Sequence, residues 1–280
     1  MADRIKMIKE ILNSINVDGV LIYSPENRRY ISGFTGSTGY LIISKKEAGF
    51  VTDSRYIDQA KAECQGFENK NPLIDYLVEV INKYEIKTLA YEDSFMTVGF
   101  YNDLKDKSGN VKFVPLKEEV NKLRFIKDED ELDKIKKAAE IADSAFSHIL
   151  GYIKPGVSEI DIAVELEFYM KKRGASKLSF ESIVASGWRS SMPHGNATNK
   201  KINYGELLTL DFGCVYDGYC SDMTRTIVVG KADDKQKEIY KTVLEAQTEA
   251  LAYIRPGVSG KAVDKIARDY IAKAGYGEYF

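Results

Sequence analysis

Two aspartates, Asp211 and Asp222, have the side-chain chemistry and the spacing of a metal site. They lie with ten residues between them in the stretch LLTLDFGCVYDGYCSDMTRTIVVG, residues 207–230. Its apolar and β-branched runs predict two antiparallel strands folded back on each other. Two carboxylates on one face of a sheet repel each other and lose hydration, and a hard divalent cation removes both costs. The alternative, two acids at the rim of a hairpin that face solvent, is left open by the spacing alone.

The position of the tight turn decides how the two acids face each other. A turn at Asp217-Gly218, two residues that tolerate positive φ, places Asp222 opposite Gly213. Gly213 shares a face with Asp211, because successive strand residues alternate between faces. A turn at Tyr216-Asp217 instead sets the two acids directly opposite each other. Both registers put the carboxylates on one face at Cβ distances of roughly 4.5–8 Å, which suits a shared cation or a cation pair.

His194 is the third candidate for chemistry. It lies between Pro193 and Gly195 in a long loop after a predicted strand at 182–185, so the backbone is fixed and the ring has room to approach a ligand. A loop histidine near two acids can donate a hydrogen bond to a developing oxyanion. Without further context, a surface histidine is the ordinary explanation. A serine nucleophile is not supported, because no nucleophile-elbow pattern surrounds the serines of this loop.

The composition predicts a globular protein without a membrane span. Apolar residues make up 44% of the 280 residues, charged residues make up 29%, and the formal net charge is −2. This charge gives no reason to expect nucleic acid or an anionic membrane as a partner. No apolar run reaches the roughly 18 residues of a membrane span, and the amino-terminal segment is a charged amphipathic helix without a signal-peptide core. Three cysteines are too few for a disulfide framework, so we expect reduced thiols and a cytoplasmic location.

The patterns along the chain predict two domains. Strands alternate with helices over residues 1–117, which predicts a compact α/β domain with a mixed sheet. Within it, Ser24-Pro25-Glu26-Asn27 is expected to form a turn after the first strand. A charged helical pattern then opens a second domain at 118–280, with Asp128 as helix cap and Glu131 completing a capping box.

An internal repeat organises the second domain. The segment YIKPGVS at 152–158 recurs as YIRPGVS at 253–259, an offset of 101 residues. In both copies Pro-Gly ends one helix and the serine caps the next, which predicts two half-repeats, each a helix pair followed by antiparallel strands. The strand segment 176–230 follows the first pair, whereas residues 276–280 follow the second. We therefore expect this sequence to be a fragment of a longer protein.

Together these features resemble the creatinase/prolidase group of metallopeptidases, which includes the Xaa-Pro aminopeptidases and Xaa-Pro dipeptidases. The resemblance is carried by RFIKDEDELDKIKKA at 124–138, by MPHG around His194 and by the Asp-x10-Asp segment at 211–222. The pattern at 30–56 is similar to the non-catalytic domain of that family. The resemblance implies an amino-terminal creatinase/prolidase-like α/β domain with a mixed sheet, then a truncated α+β catalytic domain of the pita-bread fold.

The resemblance also implies a site and a reaction. Asp211 and Asp222 would be two of five ligands to two divalent metal ions, commonly Mn with Co or Zn as options, and His194 would be the catalytic histidine near the scissile carbonyl. The family's other ligands, a histidine and two glutamates, cannot be assigned here, because the other histidine, His148, lies on a helix. The implied reaction is hydrolysis of the peptide bond before a proline at the second position of short peptides. The metal ions lower the pKa of the water that attacks this bond. The complete protein is expected to be a cytoplasmic Xaa-Pro metallopeptidase that forms a homodimer or higher homo-oligomer. The fragment itself is expected to be inactive.

Other functions remain to be weighed against the peptidase. One is a non-catalytic member of the pita-bread fold that binds peptides or proteins, and another is an amidinohydrolase similar to creatinase. Non-catalytic members usually lose metal ligands, so the presence of Asp211, Asp222 and His194 favours the enzyme. A methionine aminopeptidase is disfavoured, because that class lacks a preceding α/β domain of this kind.

Overall fold

The polypeptide divides at Lys127 in the computed structural model, which describes residues 2–64, 68–70 and 74–280. The first unit is Met1–Lys127 and the second is Asp128–Phe280. The change to a helical, charged pattern at residue 118 predicts an earlier boundary.

The segment 118–127 packs with the first unit. Val120 is buried in the core of that unit, and the Tyr30 hydroxyl donates a hydrogen bond to the Leu123 carbonyl oxygen at 3.0 Å. Arg124 also donates from Nε to the side-chain oxygen of Asn27 at 2.8 Å. The charged pattern of the segment carries no signal of this packing, because the few apolar residues that decide it are scattered among lysines and glutamates.

A six-stranded mixed sheet forms the centre of the first unit. The helices of this unit are α1 (Ala2–Ser14), α2 (Pro25–Ser32), α3 (Ile57–Glu63), α4 (Ile74–Lys83) and α5 (Val98–Lys107). The strands are β1 (Gly19–Ile22), β2 (Tyr40–Ser44), β3 (Ala48–Val51), β4 (Glu68–Lys70), β5 (Thr88–Tyr91) and β6 (Lys112–Pro115). Their order is β4-β3-β2-β1-β5-β6, with β1, β2 and β3 antiparallel and the other pairings parallel. This arrangement confirms the predicted α/β domain with a mixed sheet.

Helices cover both faces of that sheet, which explains the uninterrupted apolar sequence of its central strand. All four residues of β1, GVLI, are buried. Val20 and Ile22 pack in the core that contains α1, whereas Leu21 packs in the core that contains α4. A strand buried on both faces shows a continuous apolar run in place of an alternating one.

The turn predicted at Ser24–Asn27 is wrong, because these residues begin helix α2. The Ser24 side chain accepts a hydrogen bond from the Asn27 backbone N–H at 3.4 Å, and Pro25 is the first helical residue. A serine cap followed by proline is a helix-start signal, since proline lacks an N–H that would have no partner there. The helix ends at Gly33, which has a φ of 78°.

The second unit packs helices against short antiparallel sheets. Its helices are α6 (Glu129–Leu150), α7 (Glu159–Lys172), α8 (Asp234–Tyr253) and α9 (Gly260–Lys273). Its strands are β7 (Lys177–Leu178), β8 (Ile183–Ser186), β9 (Leu207–Phe212), β10 (Cys214–Tyr216), β11 (Tyr219–Cys220) and β12 (Met223–Val228). One sheet has the order β12-β9-β8 and the other has the order β11-β10-β7. The predicted capping box at the start of α6, formed by Asp128 and Glu131, is confirmed.

The central strand β9 presents an apolar face and a polar face. Leu208, Leu210 and Phe212 are fully buried in a core shared with α6 and α7. Thr209 and Asp211 point to the other face and are partly exposed. This alternation is expected of a strand with one face covered by helices, and it leaves the aspartate on the open face.

The helix pairs of the internal repeat are confirmed. Ser158 caps α7 and Ser259 caps α9, each by accepting a hydrogen bond from a backbone N–H three residues later. The two pairs differ in burial. The first pair contributes many side chains to the core beneath the β12-β9-β8 sheet, whereas along α8 and α9, both described throughout, Ala246 and Ile271 are the buried residues.

The three cysteines are free thiols, as expected. Cys214 is buried and Cys220 is exposed, although both belong to the same hairpin. Their positions are offset in the register, because Cys220 pairs with Val215. They therefore face opposite sides of the ribbon.

Over the residues that the structure describes, no helix combines the length and the apolar character needed to cross a membrane.

Candidate metal centre

The hairpin that carries the two aspartates folds about Asp217-Gly218. Both turn residues have positive φ, 45° and 84°, as a tight turn between twisted strands requires. Tyr216 pairs with Tyr219, and farther along the ribbon Asp211 pairs with Thr224. The first of the two registers considered from the sequence is therefore correct, and a turn at Tyr216-Asp217 is wrong.

This register places Asp211 and Asp222 as diagonal neighbours. Asp222 directly precedes β12 and lies two residues before Thr224, the partner of Asp211. The intervening Met223 is buried in the core, while Asp222 and Thr224 are exposed. This alternation assigns Asp222 to the open face that also carries Asp211.

Gly213 lets the two strands approach closely between the acids. A Cβ at this position would lie 2.0 Å from the carbonyl oxygen of Ser221. Only glycine fits there, because the obstructing atom belongs to the backbone. The Ser221 hydroxyl accepts a hydrogen bond from the Cys214 N–H at 3.0 Å, which secures the same point of the ribbon.

The open face around Asp211 is polar and adjoins a groove. The Thr224 hydroxyl donates to Oδ1 of Asp211 at 2.9 Å, and the hydroxyls of Thr209 and Thr226 lie 3.2 Å apart in the next row. Farther along, Leu207, Thr226 and Val228 form one wall of a groove of about 300 Å³, and Tyr240 of α8 lines the other wall. The face thus offers oxygen ligands beside a space of small-substrate size.

The loop that carries His194 returns to the sheet next to Asp211. Ile183 of β8 pairs with Asp211 on one side and forms an isolated bridge with Asn196 on the other. His194 lies two residues before Asn196 and is exposed. Three sequence-predicted residues therefore lie in one small region of the sheet, with the two aspartates on the hairpin and the histidine on the neighbouring loop.

A buried glutamate that the sequence did not single out holds that loop. Glu159, the first residue of α7, has no exposed surface. Its Oε1 accepts hydrogen bonds from the N–H and hydroxyl of Ser186 at 2.8 and 2.9 Å, and its Oε2 accepts from the hydroxyl of Thr198 at 2.7 Å. Burial by itself raises the pKa of Glu159, but the hydrogen bonds from Thr198 and Ser186, together with the charge of Arg189, outweigh burial and hold the pKa below its ordinary value. The carboxylate is thus charged at neutral pH.

His148 lies apart from this region, on the outer side of the α6–α7 pair. Its Nε2 is 2.6 Å from Oε1 of Glu165, and its ring stacks on Tyr169 at a centroid distance of 4.2 Å. His148 lies on helix α6, as expected, and its side chain is 37% exposed. Over residues 2–64, 68–70 and 74–280, no group of three or more histidine, cysteine or acidic side chains is arranged to hold a metal ion.

The donor set of the hairpin fits a hard divalent cation. Two carboxylates with an adjacent threonine hydroxyl provide oxygen atoms, which suit Mn, Mg and Co-like ions better than soft metals. A cation would also relieve the repulsion between Asp211 and Asp222. These two residues can therefore serve as part of a metal coordination shell.

Comparison with known sequences assigns both units to families. The pattern of metallopeptidase family M24 matches residues 133–280, and the pattern of the creatinase/prolidase amino-terminal domain matches residues 4–126. The uncharacterized peptidase YqhT of Bacillus subtilis is 47% identical over 99% of this chain and 79% of its own length. The chain belongs to metallopeptidase family M24.

Solved structures agree with this assignment. An Xaa-Pro dipeptidase from Bacillus anthracis superposes with a TM-score of 0.94 at 44% identity, covering 99% of this chain and 79% of its own. An X-Pro aminopeptidase from Thermotoga maritima superposes with a TM-score of 0.89 at 40% identity, covering 96% of this chain and 79% of its own. The fold is that of the prolidases, a pita-bread unit preceded by an α/β domain, as expected. Peptidases of this family depend on divalent metal ions.

Proposed function

We propose that this chain carries the metal-binding hairpin and the catalytic histidine of an enzyme that hydrolyses peptides with proline at the second position. Asp211 and Asp222 are metal ligands in this proposal, and His194 is the catalytic residue. The observation that carries it is the hairpin register, which puts both acids on the open polar face beside the histidine loop. The names of the relatives, two Xaa-Pro dipeptidases and an X-Pro aminopeptidase, support the substrate class.

Each side chain of the candidate site has a separate role in this hydrolysis. Asp211 and Asp222 would hold a pair of divalent ions, Mn in this proposal with Co or Zn as options, which would supply an activated water and Lewis acidity for the hydrolysis. The Thr224 hydroxyl orients the carboxylate of Asp211 through its hydrogen bond to Oδ1. His194, exposed on its loop, donates to the oxyanion that develops on the scissile carbonyl. The groove beside the polar face receives a side chain of the short peptide.

The proposal also covers the oligomeric state and the cellular location of the protein. A homodimer or higher homo-oligomer stays a prediction, and so does a cytoplasmic location, which the three free thiols support. Short proline-containing peptides are the proposed partners.

A substitution of Asp211 tests the metal site directly. Asp211→Asn keeps the size of the side chain and removes its charge, so we expect a large loss of Mn²⁺ binding, measured by electron paramagnetic resonance of the free ion. Two carboxylates without further ligands bind a divalent ion weakly, because protein sites gain affinity with the number and charge of their ligands, so a high protein concentration is needed. Turnover of Gly-Pro or a longer Xaa-Pro peptide with Mn²⁺, in a protein that also supplies the family's other metal ligands, is the second readout.

Asp217→Asn is the matched control. It removes an acid from the turn of the same hairpin, where Asp217 pairs with Lys134 at 3.1 Å and lies away from the polar face. Mn²⁺ binding should survive this change. Equal Mn²⁺ affinity in wild type, Asp211→Asn and Asp217→Asn would reject the metal site. Binding of Mn²⁺ and of Xaa-Pro peptides without any hydrolysis, also in a longer relative, would favour the non-catalytic binding protein.

A further inference from the structure

We infer that Glu159 is a positioning residue, which fixes His194 relative to Asp211 by holding both ends of the histidine loop. The inference rests on the proposed function, in which His194 acts on a substrate bound at the aspartates. Glu159 itself touches neither aspartate and neither reacting group. Its role would be to set the geometry of the loop at residues 187–197.

The two ends of the loop meet at the same carboxylate. Ser186 ends β8 just before the loop, and Thr198 follows it, and both residues donate a backbone N–H and a hydroxyl to Glu159. The loop is thus closed at its neck, as in compact surface loops whose ends lie close together. Since Glu159 is completely buried, water does not compete for these hydrogen bonds.

Arg189 extends the same contact to the residues around His194. Its Nε donates to Oε2 of Glu159 at 3.1 Å, and its Nη2 donates to the carbonyl oxygen of Asn196 at 2.7 Å. Asn196 follows His194 by two residues and bridges to Ile183, the strand neighbour of Asp211. Hydrogen bonds therefore lead from Glu159 through Arg189 to Asn196, which joins the sheet two residues after His194.

The start of α7 gives this path a rigid origin. The backbone N–H of Glu159 donates to the Lys200 carbonyl oxygen at 3.1 Å, and the N–H of Ile160 donates to the Thr198 carbonyl oxygen at 3.0 Å. These N–H groups belong to the first helical turn, which has no acceptors within the helix. Backbone and side chain of the helix start therefore hold the returning segment together, and sites supported by helices are more exact than sites on loops alone.

The arrangement requires a carboxylate. Five donor groups point at Glu159, two at Oε1 and three at Oε2. An ionised carboxylate accepts at both oxygens, whereas a glutamine amide must present an NH₂ group to one set of donors. Glu159→Gln therefore keeps the size of the side chain and releases one end of the loop. It also leaves Arg189 without its counter-charge.

Two substitutions and two controls separate positioning from stability. Glu159→Gln alters both ends of the loop, and Thr198→Val removes one hydroxyl donor while Thr198→Ser retains it. Glu131→Gln is the matched control, because Glu131 is a buried acid in the first turn of α6, 2% exposed, that accepts a hydrogen bond from the Tyr219 hydroxyl and lies away from the loop. All four proteins are compared with wild type at temperatures where each is folded.

The two histidines provide a direct readout, because the chain contains only His148 and His194. With ¹³C-labelled histidine, two ring signals are expected, and His194→Gln assigns them. In Glu159→Gln and Thr198→Val the His194 signal should shift towards the value of an unstructured peptide or split into several, while the His148 signal stays in place. Thr198→Ser should retain the wild-type spectrum because it keeps the hydroxyl donor. Glu131→Gln should leave both histidine signals unchanged. An unmoved His194 signal in Glu159→Gln and Thr198→Val, or equal movement of both histidines, would overturn the inference.

Activity supplies the readout that links the loop to the reaction. In a protein that also supplies the family's other metal ligands, assayed with Mn²⁺ and an Xaa-Pro peptide, Glu159→Gln should lower kcat by about 10- to 100-fold relative to the unsubstituted protein, the usual effect of outer residues that orient a reactive group, with unchanged Mn²⁺ affinity. If an unsubstituted protein that also supplies the family's other metal ligands neither binds Mn²⁺ nor hydrolyses the peptide, the proposed function is rejected, and the histidine spectra of this chain still decide the role of Glu159. A Glu159→Gln protein with altered His194 signal and wild-type kcat would overturn the catalytic part of the inference.

Discussion

Substitution of Gly213 by alanine tests whether the metal site depends on the close approach of the two strands. A Cβ at this position would lie 2.0 Å from the carbonyl oxygen of Ser221 and 2.7 Å from its carbonyl carbon. Both atoms belong to the backbone, so no side-chain rotation relieves the overlap. The Ser221 peptide must move by about 1.4 Å to restore an ordinary contact, which strains the packed ribbon.

The cost of this movement can be estimated from the hydrogen bonds that it breaks. The Ser221 N–H donates to the Cys214 carbonyl oxygen at 2.9 Å, the Cys214 N–H donates to the Ser221 hydroxyl at 3.0 Å, and the Ser179 hydroxyl donates to the Ser221 carbonyl oxygen at 2.7 Å. At about 1 kcal/mol each, their loss lowers the free energy of unfolding by about 3 kcal/mol. For a unit of this size, the melting temperature should fall by roughly 6–12 °C.

Circular dichroism during heating measures the stability, and Mn²⁺ binding measures the site. Asp222 follows Ser221 directly, so the movement also separates the two aspartates, and Mn²⁺ affinity should fall in Gly213→Ala. Gly151→Ala is the control, because its φ is −75° and the nearest atom to an added Cβ, the His148 carbonyl oxygen, is at an ordinary 3.6 Å. That change should raise stability by about 0.4–1 kcal/mol through the unfolded state. A Gly213→Ala protein with the melting temperature and the Mn²⁺ affinity of wild type would refute the steric argument.

Two further predictions concern protonation and thiol reactivity. The pKa of Glu159 in the folded protein lies below its ordinary value of 4.5, so its stabilising contribution is complete above that pH and is lost as the pH falls through the folded-state value. The difference in melting temperature between wild type and Glu159→Gln should therefore be constant near neutral pH and narrow in acid, and a difference that persists undiminished in strong acid would contradict this. In thiol titration of the native protein, the exposed Cys220 should react first, whereas burial raises the pKa of Cys64 to about 11 and also raises the pKa of Cys214, so these two should react only after unfolding. Equal rates for all three thiols would disprove this assignment.

The sequence predicted the elements of the site because each has a local signal. Apolar runs around Asp217-Gly218 indicate a hairpin, and the serine caps indicate the starts of α7 and α9. The choice between the two turns depends on which residue pair takes positive φ, and both pairs contain an aspartate that tolerates it. The helix α2 was missed for a related reason, since the residues from Ser24 onward suit a turn and a helix start equally well.

The role of Glu159 could not be predicted, because it depends on residues distant in the chain. An acid directly after a capping serine is ordinary at a helix start, where it interacts favourably with the helix dipole. Its function as an acceptor arises from Thr198, which is 39 positions away in the sequence. Such a contact exists only after the loop has returned to the helix, so no short-range pattern indicates it. In the sequence, Glu159 has the pattern of an ordinary acid at a helix start. In the structure, its carboxylate binds both ends of the histidine loop.

Strand β8 lies between the hairpin that carries Asp211 and the loop that carries His194, and it sets their relative positions. The hairpin that carries Asp211 is held by its turn and by the missing side chain at Gly213, whereas the loop that carries His194 is held by the buried charge of Glu159. The two elements meet at Ile183, which pairs with Asp211 on one side and bridges to Asn196 on the other. Val184 of β8 is buried in the core beneath the sheet, and a slip of the strand by one residue would turn this side chain to the other face, so the core fixes the register. The relative position of the acids and the histidine is therefore determined by hydrophobic packing beneath the sheet, although neither group belongs to the core.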